Sequence, residues 1–139
     1  MLFGEVIQLQ DTDEIKDYVY LGAPPEGGLV FLARIPDVIT SQEIVKLQGK
    51  LLTGVQSQRA KQRLNSDLYF IVELTTEEFK DRVVMLTSSD YDEKEMQKYR
   101  ETIQSLQDTD IKQIKDKIMS ASSGSVSPKL KKIVESLAE

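Results

Sequence analysis

Residues 18–33, YVYLGAPPEGGLVFLA, hold two short apolar runs on either side of a turn rich in proline and glycine. The prolines fix φ and the glycines permit positive φ, so the segment between the runs favours a tight turn. The run at 29–33 has no polar residue, which is typical of a central strand buried on both faces. The run at 18–21 is aromatic and β-branched, as strands often are. We therefore expect a β-hairpin.

Two further strands are predicted on either side of this hairpin, at residues 2–9 and at residues 68–72, LYFIV. The runs at 29–33 and 68–72 are each followed by a sequence that is typical of a helix start, namely a threonine with a glutamate three residues later. It occurs at Thr40 with Glu43 and at Thr75 with Glu78. Strand, capped helix, strand, capped helix over residues 28–87 predicts a crossover that pairs 29–33 with 68–72 in parallel. An antiparallel meander is the alternative.

The first of these helices has an apolar stripe with helical spacing. The stripe consists of Ile44, Leu47, Leu51 and Val55. It stops near Val55, and Gly49 and Gly54 each weaken a helix by about 1 kcal/mol relative to alanine. Either the helix ends near Gly54, or its second half projects into solvent or against a partner.

The C-terminal half is predicted to be mainly helical. Residues 91–107 show an amphipathic stripe of Met96, Tyr99, Ile103 and Leu106, and a second helix begins at residues 108–110 with Ile111, Ile114 and Ile118 inside. The serine-rich stretch 120–127 reads as a linker. Ser127 and Pro128 then start a last amphipathic helix, whose apolar face is Leu130, Ile133, Val134 and Leu137.

The fold class that follows is α+β: a small mixed sheet of about four strands covered by helices, continued by the helical C-terminal half. We expect a single domain at 1–119, a linker at 120–127 and a C-terminal helix at 128–139. That helix can dock on its own body, on a sister chain or in a partner's groove. Together with the stripe at 96–106, it makes self-association through helices an expectation.

A basic segment lies in an otherwise acidic chain. Residues 44–66 contain five cationic side chains and no acid, namely Lys46, Lys50, Arg59, Lys61 and Arg63. The whole chain has a net charge of −5, so such asymmetry can steer an anionic partner. The segment could contact phosphates of a nucleic acid, but it has no aromatic side chain for stacking on bases. An acidic protein surface, including another copy of this chain, fits it equally well.

The absence of certain residue types limits the chemistry. The chain has neither cysteine nor histidine, which excludes thiolate nucleophiles, Ser-His-Asp and Cys-His catalysis, and cysteine-ligated metals. The acidic residues Asp90, Asp92, Glu93 and Glu95 resemble a calcium loop only superficially. An EF-hand needs glycine at its sixth position, and counting from Asp90 that position is Glu95. We therefore predict no catalytic residues, no metal site and no cofactor.

These observations favour a non-catalytic intracellular module for protein binding or assembly that associates through amphipathic helices. No run of about 18 apolar residues occurs, and the N-terminus lacks the basic and apolar regions of a signal peptide. A cytoplasmic location, no contact with membranes and a homo-oligomer are the accompanying expectations. The alternative function is association with nucleic acid through residues 46–63.

Overall fold

A computed structural model describes residues 1–54, 70–86, 89–121 and 126–137, and of residues 50–54 it describes the backbone alone. Within these residues the chain forms one antiparallel sheet of seven strands. The strands are β1 (Glu5–Asp11), β2 (Glu14–Gly22), β3 (Leu29–Ile35), β4 (Ile71–Glu73), β5 (Val83–Met85), β6 (Asp90–Asp92) and β7 (Tyr99–Ser105). The helices are α1 (Val38–Gly54), α2 (Asp108–Met119) and α3 (Pro128–Leu137), with 3₁₀ helices at Glu77–Phe79 and Glu93–Lys98.

The predicted hairpin is confirmed and forms the centre of the sheet. Strands β2 and β3 pair in antiparallel fashion, with Val19 opposite Ala33 and Tyr18 opposite Arg34. The other edge of β3 is shared, because β6 pairs with its first residues and β5 with its last. The strand order is β4-β5-β3-β2-β1-β7, so β7 ends the sheet next to β1.

The prediction of a small mixed sheet with a crossover is wrong. The predicted strand at 68–72 overlaps β4. Strand β4 pairs with β5 in antiparallel fashion instead of joining β3 in parallel. The predicted helix after Thr75 is only the 3₁₀ turn, because the Thr75 hydroxyl is bonded to Asp110 and does not cap a helix. Asp81, with φ of 70°, then turns the chain back, and Val83 begins β5.

The prediction that residues 91–107 form a helix is also wrong. They form β6, a short 3₁₀ helix and β7, so the C-terminal half is less helical than expected. The apolar spacing fits a helix, but Tyr99, Thr102 and Ile103 are residue types that favour strands, and β1 supplies a pairing edge that local spacing does not reveal. The helices at 108–119 and 128–137 are confirmed.

Both faces of the sheet carry an apolar cluster. The larger cluster packs the inner faces of α2 and α3 against the sheet, through Ile114, Ile118, Leu130 and Val134. The smaller cluster lies on the opposite face and contains Ile7, Leu9, Tyr18, Val30 and Leu32, with Tyr20, Tyr91 and Met96 packed against it. Residues of β3 alternate between the two, which explains why residues 29–33 are apolar throughout.

The ends of the proposed linker are part of the larger cluster. Ala121 and Val126 are both buried, and residues 122–125 lie outside the described residues. Helix α3 begins as the sequence indicates, since the Lys129 amide donates to the Ser127 hydroxyl at 3.3 Å. The division into domain, linker and helix stays a prediction.

Candidate functional site

The first turn of helix α1 is fixed by hydrogen bonds, one of which reaches the sheet. Asp37, and not the predicted Thr40, is its N-cap: the Asp37 carboxylate accepts a 2.7 Å hydrogen bond from the Thr40 amide. The bonds from the Thr40 amide and hydroxyl hold the pKa of Asp37 below its ordinary value. Ser41 is buried, donates to the Pro36 carbonyl and accepts from the Val83 amide, each at 3.2 Å. This serine therefore joins α1 to β5.

The apolar residues of α1 are largely turned away from the core. Ile39 is 71% exposed, Leu47 46% and Val38 42%, whereas Ile44 and Val45 are half-buried. Within the predicted stripe, Ile44 is therefore half-buried and Leu47 exposed, and the side chains of Leu51 and Val55 lie outside what the structure describes.

An open groove of about 680 Å³ runs between α1 and the end of the sheet formed by β4 and β5, and we call it the α1 groove. Its apolar lining is Ile39, Val45, Leu74 and Val83, and its charged lining includes Glu43, Lys46, Glu73, Lys80 and Asp81. The volume lies in the range of binding pockets in proteins, roughly 300–1,000 Å³. An apolar centre with charged residues around it is also the usual composition of a protein-binding patch.

Arg82 fixes the wall of the α1 groove that faces the sheet. Its guanidinium donates to the carbonyl oxygens of Ile35 and Pro36 at 2.9 and 2.8 Å, and it forms a 2.9 Å ion pair with Asp17. It also lies 5.9 Å from the centre of the Phe79 ring. Because all these groups are fixed by β2, β3 and the 3₁₀ turn, Arg82 is a structural residue and not a free cation for a ligand.

Asp110 fixes the opposite end of the same wall. It is fully buried, and its carboxylate accepts hydrogen bonds from the amides and hydroxyls of Thr75 and Thr76 at 2.6–3.0 Å. Burial opposes ionisation, but the bonds from Thr76 and Thr75 outweigh it and hold the pKa of Asp110 below its ordinary value. The Gln107 side chain also donates to the Thr75 hydroxyl. The start of α2 thereby holds the loop that lines the α1 groove.

The predicted basic residues can be placed only in part. Lys46 is exposed on α1 and lines the α1 groove. The backbone of Lys50 lies in α1, and nothing is described of its side chain. Arg59, Lys61 and Arg63 lie outside the described residues. The role of these residues in binding an anionic partner stays a prediction.

The structure separates the residues predicted for self-association. Leu106, Leu130 and Val134 are buried in the larger cluster, with Ile133 half-buried against it, and Met96 packs on the smaller cluster. Tyr99 and Ile103 are exposed on strand β7, and Leu137 is exposed on α3. They do not form one helical surface. The sequence analysis did not identify Ile39 as a surface residue, because it placed the start of the helix at Thr40. Pro36 and Asp37, directly before the helix, are the residues that could have indicated the earlier start.

The acidic residues near β6 have structural partners. The Asp92 carboxylate accepts from the Lys94 amide, the Glu93 carboxylate accepts from the Gly28 amide, and Glu95 pairs with Lys98. In the part of the chain that the structure describes, no group of three or more acidic side chains could hold a metal ion. In the same part, no helix has the length and apolar character needed to cross a membrane.

Comparison of the chain with protein-family models, with curated proteins and with solved structures finds no match.

Proposed function

We propose that this protein is a non-catalytic protein-binding module that uses α1 and the α1 groove as its binding surface. The observation that supports this proposal is the exposure of Ile39 at 71%, beside a groove with apolar lining. The apolar faces of α2 and α3 are already used by the core, so the amphipathic helix left for a partner among the described elements is α1. A cytoplasmic location is part of the same proposal.

The rigidity of the groove wall also supports the proposal. Ser41, Arg82 and Asp110 each hold backbone groups of different elements, so one side of the groove is preorganised. A preorganised surface loses less conformational entropy when a partner binds. The burial of one exposed isoleucine side chain contributes about 1.5–3 kcal/mol to such a complex.

The test compares two isoleucines exposed on different parts of the surface. Ile39→Asp changes the proposed surface, and Ile15→Asp changes an isoleucine that is 44% exposed in β2. Each tagged variant is purified from its native cells at moderate salt, with in-cell cross-links mapped by mass spectrometry. We expect the wild type and Ile15→Asp to cross-link to the same protein partner through α1, and Ile39→Asp to lose it. Retention of that partner by Ile39→Asp, or no cross-linked partner for the wild type, would contradict the proposal.

A further inference from the structure

All the tyrosines that the structure describes lie on one side of the sheet. Residues directly opposite each other in an antiparallel pair share a side. The register sets each tyrosine opposite a residue of the smaller cluster: Tyr18 opposite Ile7, Tyr20 opposite Leu32, Tyr91 opposite Val30 and Tyr99 opposite Leu9. Helices α2 and α3 pack on the other side, through the larger cluster. The rings are therefore gathered on the side that α2 and α3 leave uncovered.

Three half-buried side chains form the outer surface of the smaller cluster, and we call them the tyrosine surface: Tyr20, Tyr91 and Met96. The Tyr91 ring stands edge to face on buried Tyr18, with ring centroids 5.6 Å apart, so a second ring holds it in place. Burial raises the pKa of Tyr20, and burial raises the pKa of Tyr91 to about 12. Both phenols therefore keep their proton at neutral pH and can donate hydrogen bonds to a ligand.

Arg34 lies beside the tyrosine surface and forms no ion pair with a described residue. It is exposed and stands opposite Tyr18 in the register. Its charge reaches the Tyr91 phenol, where it opposes the effect of burial on the pKa. Two other cations near the smaller cluster have acidic partners: Lys16 pairs with Glu14 at 3.5 Å, and Lys98 with Asp11 at 3.3 Å and Glu95 at 3.1 Å. Arg34 is therefore available to a ligand, while the charges of these two lysines are compensated.

The chemistry of this surface fits an extended proline-rich segment. Proline rings pack on flat aromatic faces, and a polyproline II helix has no internal hydrogen bonds, so its carbonyl oxygens accept from phenol hydroxyls. A single-stranded nucleic acid also stacks on aromatic rings, but it needs a line of cations along its phosphates. Here acids compensate Lys16 and Lys98, which disfavours a polyanion. The guanidinium of Arg34 favours one carboxylate in the ligand.

We propose that the tyrosine surface binds an extended proline-rich segment of another protein, with a glutamate or aspartate of that segment on Arg34. The segment is already extended before it binds, so it loses little conformational entropy. The tyrosine surface shares no residue with the α1 groove. It is therefore a second interaction surface, and it does not rest on the proposed function of α1.

The test adds three probes to the isotope-labelled full chain and follows its backbone amide signals by NMR. The probes are a polyproline peptide with a central glutamate, the same peptide with a central lysine, and single-stranded oligothymidine. At probe concentrations up to about 1 mM, we expect the glutamate peptide to shift the signals of Tyr20, Tyr91 and Met96. The lysine peptide and the oligothymidine should bind more weakly. No shifts on this surface with the glutamate peptide, or tighter binding of oligothymidine, would overturn the proposal.

Variants locate the contacts. Arg34→Glu should weaken binding of the glutamate peptide about threefold and favour the lysine peptide instead. Arg100→Glu changes the net charge equally and is the matched control, because Arg100 is exposed on β7 and bonds to Gln8 on the other side of the sheet. Tyr20→Leu keeps an apolar side chain but removes the ring and its hydroxyl, and it should weaken both peptides about threefold to tenfold. A preference for glutamate that survives Arg34→Glu, or an equal loss in Arg100→Glu, would contradict the contact with Arg34.

Discussion

Asp110 carries a negative charge into the interior of the protein, where hydrogen bonds and the N-terminus of α2 stabilise it. Asp110→Asn replaces one carboxylate oxygen by an NH₂ group, which then faces the amide donors of Thr75 or Thr76. Since hydrogen bonds to charged groups contribute about 1.5–3 kcal/mol, we expect a loss of about 2–3 kcal/mol in the free energy of unfolding, measured with urea at pH 7. Asp108→Asn, exposed in the same helical turn, is the control and should cost only a few tenths of a kcal/mol.

The same carboxylate predicts a dependence of stability on pH. The pKa of Asp110 in the folded protein lies below its ordinary value of 3.8, so its charged form stabilises the folded state. This contribution is fully present above the unfolded pKa and is lost as the pH falls through the folded pKa. The difference in unfolding free energy between the wild type and Asp110→Asn should therefore be constant from pH 7 to about 5 and shrink below about pH 4. A difference that grows on acidification would contradict this assignment.

Among the elements, α3 reaches the sheet at a glycine. Gly22 ends β2 with φ of 132°, and a Cβ there would lie 2.9 Å from Cγ2 of Ile133. Gly22→Ala therefore combines backbone strain with overpacking, and we expect it to cost about 2–4 kcal/mol in urea unfolding. Gly28 also has positive φ, at 81°, but a Cβ there would have no heavy atom within 4 Å. Gly28→Ala should cost only about 1 kcal/mol, and equal losses for both would show that the contact with α3 is unimportant.

The elements that the sequence predicts well are those with local determinants. The hairpin at 18–33 contains its own turn, and α3 starts at a serine and a proline adjacent in the chain. Strand β7 depends on a remote partner, β1, so local spacing alone favoured a helix. The same reason explains the candidate site. Ile39 is exposed because the hydrogen bond between Ser41 and Val83 sets which side of α1 faces the sheet. Thr75 caps no helix because its hydroxyl donates to the Asp110 carboxylate. Both hydrogen bonds join residues that are far apart in sequence.

At the scale of the whole molecule, α3 packs into the larger cluster through Leu130 and Val134. Leu130 is fully buried in the larger cluster, whereas Leu137 on the same helix is 44% exposed. Leu130→Ala should lower the free energy of unfolding by about 2–5 kcal/mol, because it removes buried apolar contacts and leaves a cavity. Leu137→Ala should change it by less than about 1 kcal/mol. Similar losses for both variants, measured by urea unfolding, would show that α3 is not anchored by Leu130.

Because the strands of one sheet contribute residues to both apolar clusters, we expect the two clusters to lose their packing together. Tyr18 and Tyr91 stand edge to face in the smaller cluster, with ring centroids 5.6 Å apart, and the chain has no tryptophan. Three of the five tyrosines, Tyr18, Tyr20 and Tyr91, lie in or against the smaller cluster, so tyrosine fluorescence reports largely on it. Far-ultraviolet circular dichroism reports on all helices, among them α2 and α3 over the larger cluster. We expect both signals to give the same urea midpoint, and Leu130→Ala to lower both midpoints together, although Leu130 lies across the sheet from the tyrosines. Two separate midpoints, or a fluorescence midpoint that Leu130→Ala leaves unchanged, would mean that the two faces of the sheet unfold independently.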